Sequence, residues 1–185
     1  DIHSMQTATK PLLMAGPLNK GCEFAKKLGI PEIVVMDFGH TAGRRMREYE
    51  GFSDPGSKKN ALLIECGQNW AKSSADLAIT ASWRFLMILG LISEENALAH
   101  LKTESPSDQR IIKVSEPYTI RSNEFRFKEH YLGLEEISSA GTVIAHDGGI
   151  EVRTPYDNCV LVMPSRQQIP GDTAVRFGKY INRSS

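Results

Sequence analysis

The first hundred residues alternate between short apolar runs and segments whose apolar residues recur at helical spacing. PLLMAG, from Pro11 to Gly16, contains a short buried-strand run. CEFAKKLGI, from Cys22 to Ile30, reads as a helix with one buried face, closed by Leu28-Gly29. IVVMDF, from Ile33 to Phe38, is a β-branched run of the kind found in a strand covered on both faces. A glycine- and charge-rich loop from Gly39 to Lys59 separates it from a further apolar strand, ALLIECG. A long helix then runs from about Ser74 to Leu91. Another starts at SEEN, where Ser93 suits the N-cap and Glu94 and Glu95 suit the helix dipole. Strands joined by helices imply a largely parallel sheet.

The pattern changes near TESPSDQ, residues 103–109. Beyond it IIKVSEPYTI, FRFKEHYL, GTVIAH, IEVRTP, NCVLVMP and TAVRFGKYI read as β-strands separated by Gly, Pro and Asp-Asn turns. The expected organisation is an α/β portion over residues 1–106 and a β-rich domain over 107–185. A chain of 185 residues holds one good core, or one core with a small satellite.

Charge narrows the function. The 22 basic residues balance the 22 acidic ones, and no basic run is interleaved with aromatics. Nucleic acid and membrane surfaces are therefore not expected partners. Cys22, Cys66 and Cys159 are odd in number and form no CxxC, so neither a disulfide framework nor a zinc knuckle is indicated. A reduced, cytoplasmic setting follows. The longest apolar stretch, LAITASWRFLMILGLI, is broken by Arg84 and is too short to span a bilayer.

Candidate chemistry sits at two strand ends. In the opening DIHSMQ, alternation places Asp1 and His3 on one face and Ile2 on the other, buried against a helix. In LLIECG it places Leu63 with Glu65, and Ile64 with Cys66 opposite. A carboxylate that ends an apolar strand is unfavourable to bury without a partner. Ligands in open α/β sheets collect at the carboxyl ends of strands. Taken singly, such a histidine is more often a hydrogen-bonded residue and such a glutamate a salt-bridge partner; their pairing at two strand ends suggests a site, and the pattern alone goes no further.

DIHS resembles the Asp-Leu-His segment of the succinylglutamate desuccinylase/aspartoacylase family, relatives of the zinc carboxypeptidases. IECGQ resembles that family's Glu-x-Gly segment, and the 62 positions between His3 and Glu65 are similar to its spacing. The long helix after the glutamate and the β-rich tail follow the same order. The resemblance implies part of a zinc-carboxypeptidase-like mixed or parallel sheet with helices, followed by a β-rich C-terminal domain. It implies a zinc-dependent deacylase cleaving the amide bond of an N-acyl amino acid or similar small amide. His3 matches the third zinc ligand, and the family's other two lie upstream in a His-Gly-x-Glu segment that these residues lack. The chain then looks like the C-terminal part of a longer enzyme holding one zinc, inactive as a fragment. Glu65 matches the general base, and Asp1 would orient His3 from behind.

The loop GHTAGRRMREYEG lies where the family draws substrate contacts, which makes Arg44 and Arg45 candidates; a solvated charged loop is the alternative. In the tail, VLVMPSRQQ places Ser165 and Arg166 where aspartoacylases carry an acidic residue. That departure leaves the acyl group and the amine open and makes Arg166 a candidate specificity residue. The tail also resembles half of a lipoyl-like sandwich, but its PYDN turn has no lysine for a carrier role. Two rival readings remain: a non-catalytic binding module of the same fold, and a cysteine hydrolase using Cys66.

Overall fold

The structure, a computed structural model, describes residues 1–38, 45–104 and 108–181. The chain forms two compact units, residues 1–111 and 112–185.

In the first unit the strands are β1 (Ile2–Met5), β2 (Leu12–Met14), β3 (Ile33–Met36) and β4 (Leu63–Gln68), side by side in the order β1-β4-β2-β3. β1 runs parallel to β4 and β2 parallel to β3, but β2 and β4 are antiparallel. The sheet is thus mixed rather than largely parallel. The apolar pattern finds the strands, but the direction of β4 is set by the long segment between β3 and β4, whose pattern carries no directional signal.

Helix α1 (Asn19–Leu28) and the longer α3 (Lys72–Ile88) cover one face of this sheet. Between them in sequence lie a 3₁₀ turn, Met46–Glu48, and the one-turn α2 (Glu50–Ser53), both inside the stretch expected to be loop. Lys26 and Lys27 sit in the last turn of α1, where cations oppose the helix dipole. Gly29 closes the helix in the left-handed region, φ 71°, its N–H donating to the Ala25 carbonyl. Gly21 is required for a different reason: a Cβ there would lie 1.9 Å from the Ala15 carbonyl oxygen. Its absence lets α1 pass tightly over the end of β2.

Leu13, Ala15, Val34, Ile64 and Cys66 point towards these helices and share a core with Ala25, Leu28, Leu77 and Ala81. Phe24 and Phe85 join α1 to α3, with ring centroids 5.0 Å apart. Leu12, Met14, Ile33, Val35 and Glu65 alternate with that set and are buried on the opposite face. The short α4 (Glu94–Leu98) begins at Ser93, whose Oγ accepts the Asn96 N–H.

The second unit contains most of β5 (Arg110–Thr119), then β6 (Arg126–Phe127), β7 (Glu136–Ile137), β8 (Val143–Asp147), β9 (Ile150–Arg153), β10 (Cys159–Val162) and β11 (Thr173–Tyr180). Antiparallel β5, β11, β10 and β7 form one layer, and β6, β8 and β9 another. One core fills the space between them: Phe125, Ile144 and Val152 from one side meet Cys159, Leu161, Val175 and Phe177 from the other. Among the described residues, no helix is long and apolar enough to cross a membrane.

Candidate functional site

The parallel pairing of β1 with β4 sets His3 directly opposite Glu65. Because neighbours in register share a face, both side chains leave the sheet on the side away from α1 and α3. His3 Nδ1 lies 3.5 Å from Glu65 Oε1, and His3 Nε2 lies 3.2 Å from Asp1 Oδ1. The structure therefore brings three of the candidate residues, Asp1, His3 and Glu65, into one line of polar contacts. Glu65 is the buried floor of this group, and His3 and Asp1 are half-exposed.

Burial pushes the Glu65 carboxyl above its usual value, and the charge and hydrogen bond of His3 pull it part of the way back. A carboxyl balanced in this way is suited to taking up and releasing a proton. The backbone supports the arrangement, since the Ile64 N–H donates 2.9 Å to the Asp1 carbonyl and fixes the β1–β4 register beside the pair.

Ile2 does not take the buried place expected of it: it is 53% exposed. Within the first unit β1 has β4 as its strand neighbour, and α3 packs on β4. Ile2 instead borders an apolar groove of about 280 Å³ that also touches Leu13, Ile64, Phe85 and Leu86.

The loop candidates divide. Arg44 lies outside the described residues, as does His40. Arg45 is mostly buried, and its Nη2 lies 3.1 Å from Oδ2 of buried Asp37, which follows β3 directly. Its backbone N–H donates 2.9 Å to Glu48 Oε2. Arg47, also buried, donates 2.8 Å from Nη1 to the Met14 carbonyl. These guanidinium groups tie the segment after β3 to the ends of β2 and β3, so Arg45 is engaged with Asp37 before any substrate arrives. Asp37 was missed as a candidate, although it carries the same signal as Glu65, a carboxylate closing an apolar strand. Arg166 is exposed in the turn that follows β10.

Cys66 points to the helix side and is buried. Burial, followed by the Glu65 charge, pushes its thiol up to about 11. A cleft of about 550 Å³ opens on that side, lined by Thr9, Pro11, Cys66, Gly67, Gln68 and Ser74 among others, and takes in neither His3 nor Glu65. A thiol held in its neutral form, away from the imidazole, is a poor nucleophile.

Among the described residues, no group of three or more His, Cys, Asp or Glu side chains could hold a metal ion. His3 offers one imidazole, whereas a catalytic zinc takes three protein ligands and an open position. Among the described residues, the donor chemistry fits one corner of such a site.

No protein-family model and no curated protein matches the sequence. Solved structures do. A succinylglutamate desuccinylase from Vibrio cholerae matches with a TM-score of 0.65 at 18% identity, over 100% of this chain and 54% of its own. A succinylglutamate desuccinylase/aspartoacylase from Rhodobacter sphaeroides matches with a TM-score of 0.62 at 13% identity, over 99% of this chain and 58% of its own. The product-bound ectoine utilization protein EutE (DoeB) from Ruegeria pomeroyi also gives 0.62, at 14% identity over 97% and 57%. At such identities the likeness establishes the fold: this chain has the mixed-sheet fold of the succinylglutamate desuccinylase/aspartoacylase structures, with its β-rich tail. The chain spans about half the length of the structures it matches.

Proposed function

We propose that this chain is part of a zinc-dependent deacylase that cleaves the amide bond of an N-acyl amino acid or similar small amide. The observation that carries the reading is the Glu65–His3 pair, a buried carboxylate 3.5 Å from a half-exposed imidazole, in register on adjacent parallel strands. Zinc, when bound, supplies Lewis acidity at the acyl oxygen of the scissile amide, and His3 is the residue of this chain that would help hold it. A neutral imidazole donates through one nitrogen and keeps a lone pair on the other. Asp1 lies 3.2 Å from Nε2 and Glu65 3.5 Å from Nδ1, so the two carboxylates flank the ring, and zinc on His3 would take the place of one of these contacts. Glu65 takes a proton from the attacking water at its carboxylate and passes it to the leaving amine. Its burial raises the carboxyl above the usual range, which favours holding the transferred proton, and His3 draws it part of the way back.

The test uses the whole protein. Glu65→Gln should retain about one zinc per chain by metal analysis while losing about 10²- to 10⁴-fold in kcat on N-acyl amino acids. Hydrolysis at the full rate by that variant would remove Glu65 from the mechanism. A wild-type protein without zinc would favour the binding-module reading.

A further inference from the structure

Lys20, the second residue of α1, reaches into the segment between α2 and β4 with its ammonium group. Nζ lies within hydrogen-bond distance of four backbone carbonyls, which share its three hydrogens: Asp54 at 2.6 Å, Lys59 at 2.8 Å, Gly51 at 3.2 Å and Ser57 at 3.4 Å. The segment answers from its far end, where Asn60 Nδ2 donates 2.8 Å to the Lys20 carbonyl. Among the described residues, no carboxylate is paired with this ammonium; the Asp54 side chain accepts the Gly56 N–H instead. The loop also closes tightly on itself, since a Cβ on Gly51 would lie 3.0 Å from both Lys59 Cδ and Ser57 Oγ.

Four carbonyl dipoles converging on one positive charge are the arrangement that coordinates a bare monovalent cation. An ordinary surface lysine keeps its ammonium in water. We infer that residues 51–59 form a monovalent-cation cage whose cation is the Lys20 ammonium. The charge orders a stretch that has no apolar core of its own, and through Asn60 and Ala61 it fixes where β4 begins. Once Lys20 is shortened, the cage takes a free cation of ammonium size.

The experiment reads the loop rather than catalysis, so it stands apart from the reaction assigned to Glu65. Trypsin cuts after the exposed Lys58 and Lys59. In the full chain, Lys20→Ala should be cut there about 10- to 100-fold faster than wild type, as expected from losing hydrogen bonds to a charged group in a locally opening segment. Ammonium or methylammonium chloride should restore protection, and tetramethylammonium chloride at equal ionic strength should not, being too large for the ring. Lys20→Met fills the path to the cage with an apolar chain and should stay unprotected in every salt. Wild-type cutting of the alanine variant, or equal protection by all the salts, would overturn the inference. Should Lys20→Ala fail to fold, wild-type protein decides by itself: brief acetylation should modify Lys58 at least about 10-fold faster than Lys20. Equal rates would mean that no cage encloses the ammonium.

Discussion

Asp147 closes β8 with its carboxylate almost fully buried, 2% exposed, and no cation is needed to hold it there. Four donors converge on it. Oδ1 accepts from Ser122 Oγ at 2.7 Å and from the Ser122 N–H at 2.9 Å, and Oδ2 from the Arg121 N–H at 2.7 Å and from Tyr118 Oη at 3.0 Å. The turn that follows is a two-glycine one, with Gly148 and Gly149 at φ of 55° and 80° between the paired residues Asp147 and Ile150. Asp147→Asn keeps the shape but sets an amide NH₂ against a backbone N–H whichever way it is turned. One buried donor loses its acceptor and the remaining bonds lose their charge. Hydrogen bonds to a charged group contribute about 1.5–3 kcal/mol each and an orphaned buried donor costs about 1–3 kcal/mol. Because the four act as one network and do not add, the variant should lose about 2–4 kcal/mol, and Asp147→Ala about 3–5 kcal/mol.

The assay separates the two units by their chromophores. Both tryptophans, Trp70 and Trp83, lie in the first unit, and four of the five tyrosines lie in the second. Urea unfolding followed by tyrosine near-ultraviolet circular dichroism should shift strongly, and the tryptophan fluorescence transition much less. The pH dependence has a definite sign. Burial raises the Asp147 carboxyl, but the hydrogen bonds, from Ser122 Oγ first and then Arg121 N–H, outweigh it and hold the group below its usual value of 3.8. The unfolded chain therefore takes up the proton first. The stabilisation is complete well above pH 3.8 and is lost as pH falls through that value towards the lower folded one. The asparagine variant should lack this acid-induced loss. A tyrosine transition within about 0.5 kcal/mol of wild type, in the range of an ordinary surface change, would refute the network argument.

Thr80, fully buried in α3, accepts the Lys102 and Thr103 N–H groups at 2.9 and 3.1 Å. Thr80→Val should destabilise the first unit by about 1–3 kcal/mol, read by the fluorescence of Trp83 in the same helix; no change would show that water replaces the hydroxyl. With its thiol pushed up to about 11, Cys66 should resist iodoacetamide at neutral pH in the folded protein, and the proposed deacylase activity of the whole protein should survive the treatment. Inactivation that tracks Cys66 labelling would revive the cysteine reading. Under the proposed deacylase reading, Arg166→Glu in the whole protein should shift the ranking of N-acyl substrates towards those bearing a cationic group, since a carboxylate attracts the cation that Arg166 would repel. An unchanged ranking would leave Arg166 a surface residue.

What the sequence disclosed of this molecule follows from which forces act locally. Runs such as IVVM and LLIE mark strands because a β-branched apolar run finds few other places to go, and Ser93 marks a helix start because its cap bond is made three residues away. FRFKEHYL promised a longer strand than Arg126–Phe127: Lys128 still donates to the Ile144 carbonyl, but soon afterwards Glu135 draws the Leu132 and Gly133 N–H groups into a turn. Lys20 was illegible, since its partners lie more than thirty residues away and are backbone atoms that no side-chain pattern reveals. The site was legible only in part, and for one reason. A carboxylate after a short apolar run occurs at Asp37, Glu65 and Asp147, and all three are buried. Their partners separate them. Asp37 is neutralised by the mostly buried Arg45, and Asp147 by four donors fixed in the fold. Glu65 faces a half-exposed imidazole, so it alone of the three combines a perturbed carboxyl with a partner that solvent can reach. Burial of charge is written in the sequence, whereas the availability of that charge for chemistry depends on contacts across strands, and those the pattern does not carry.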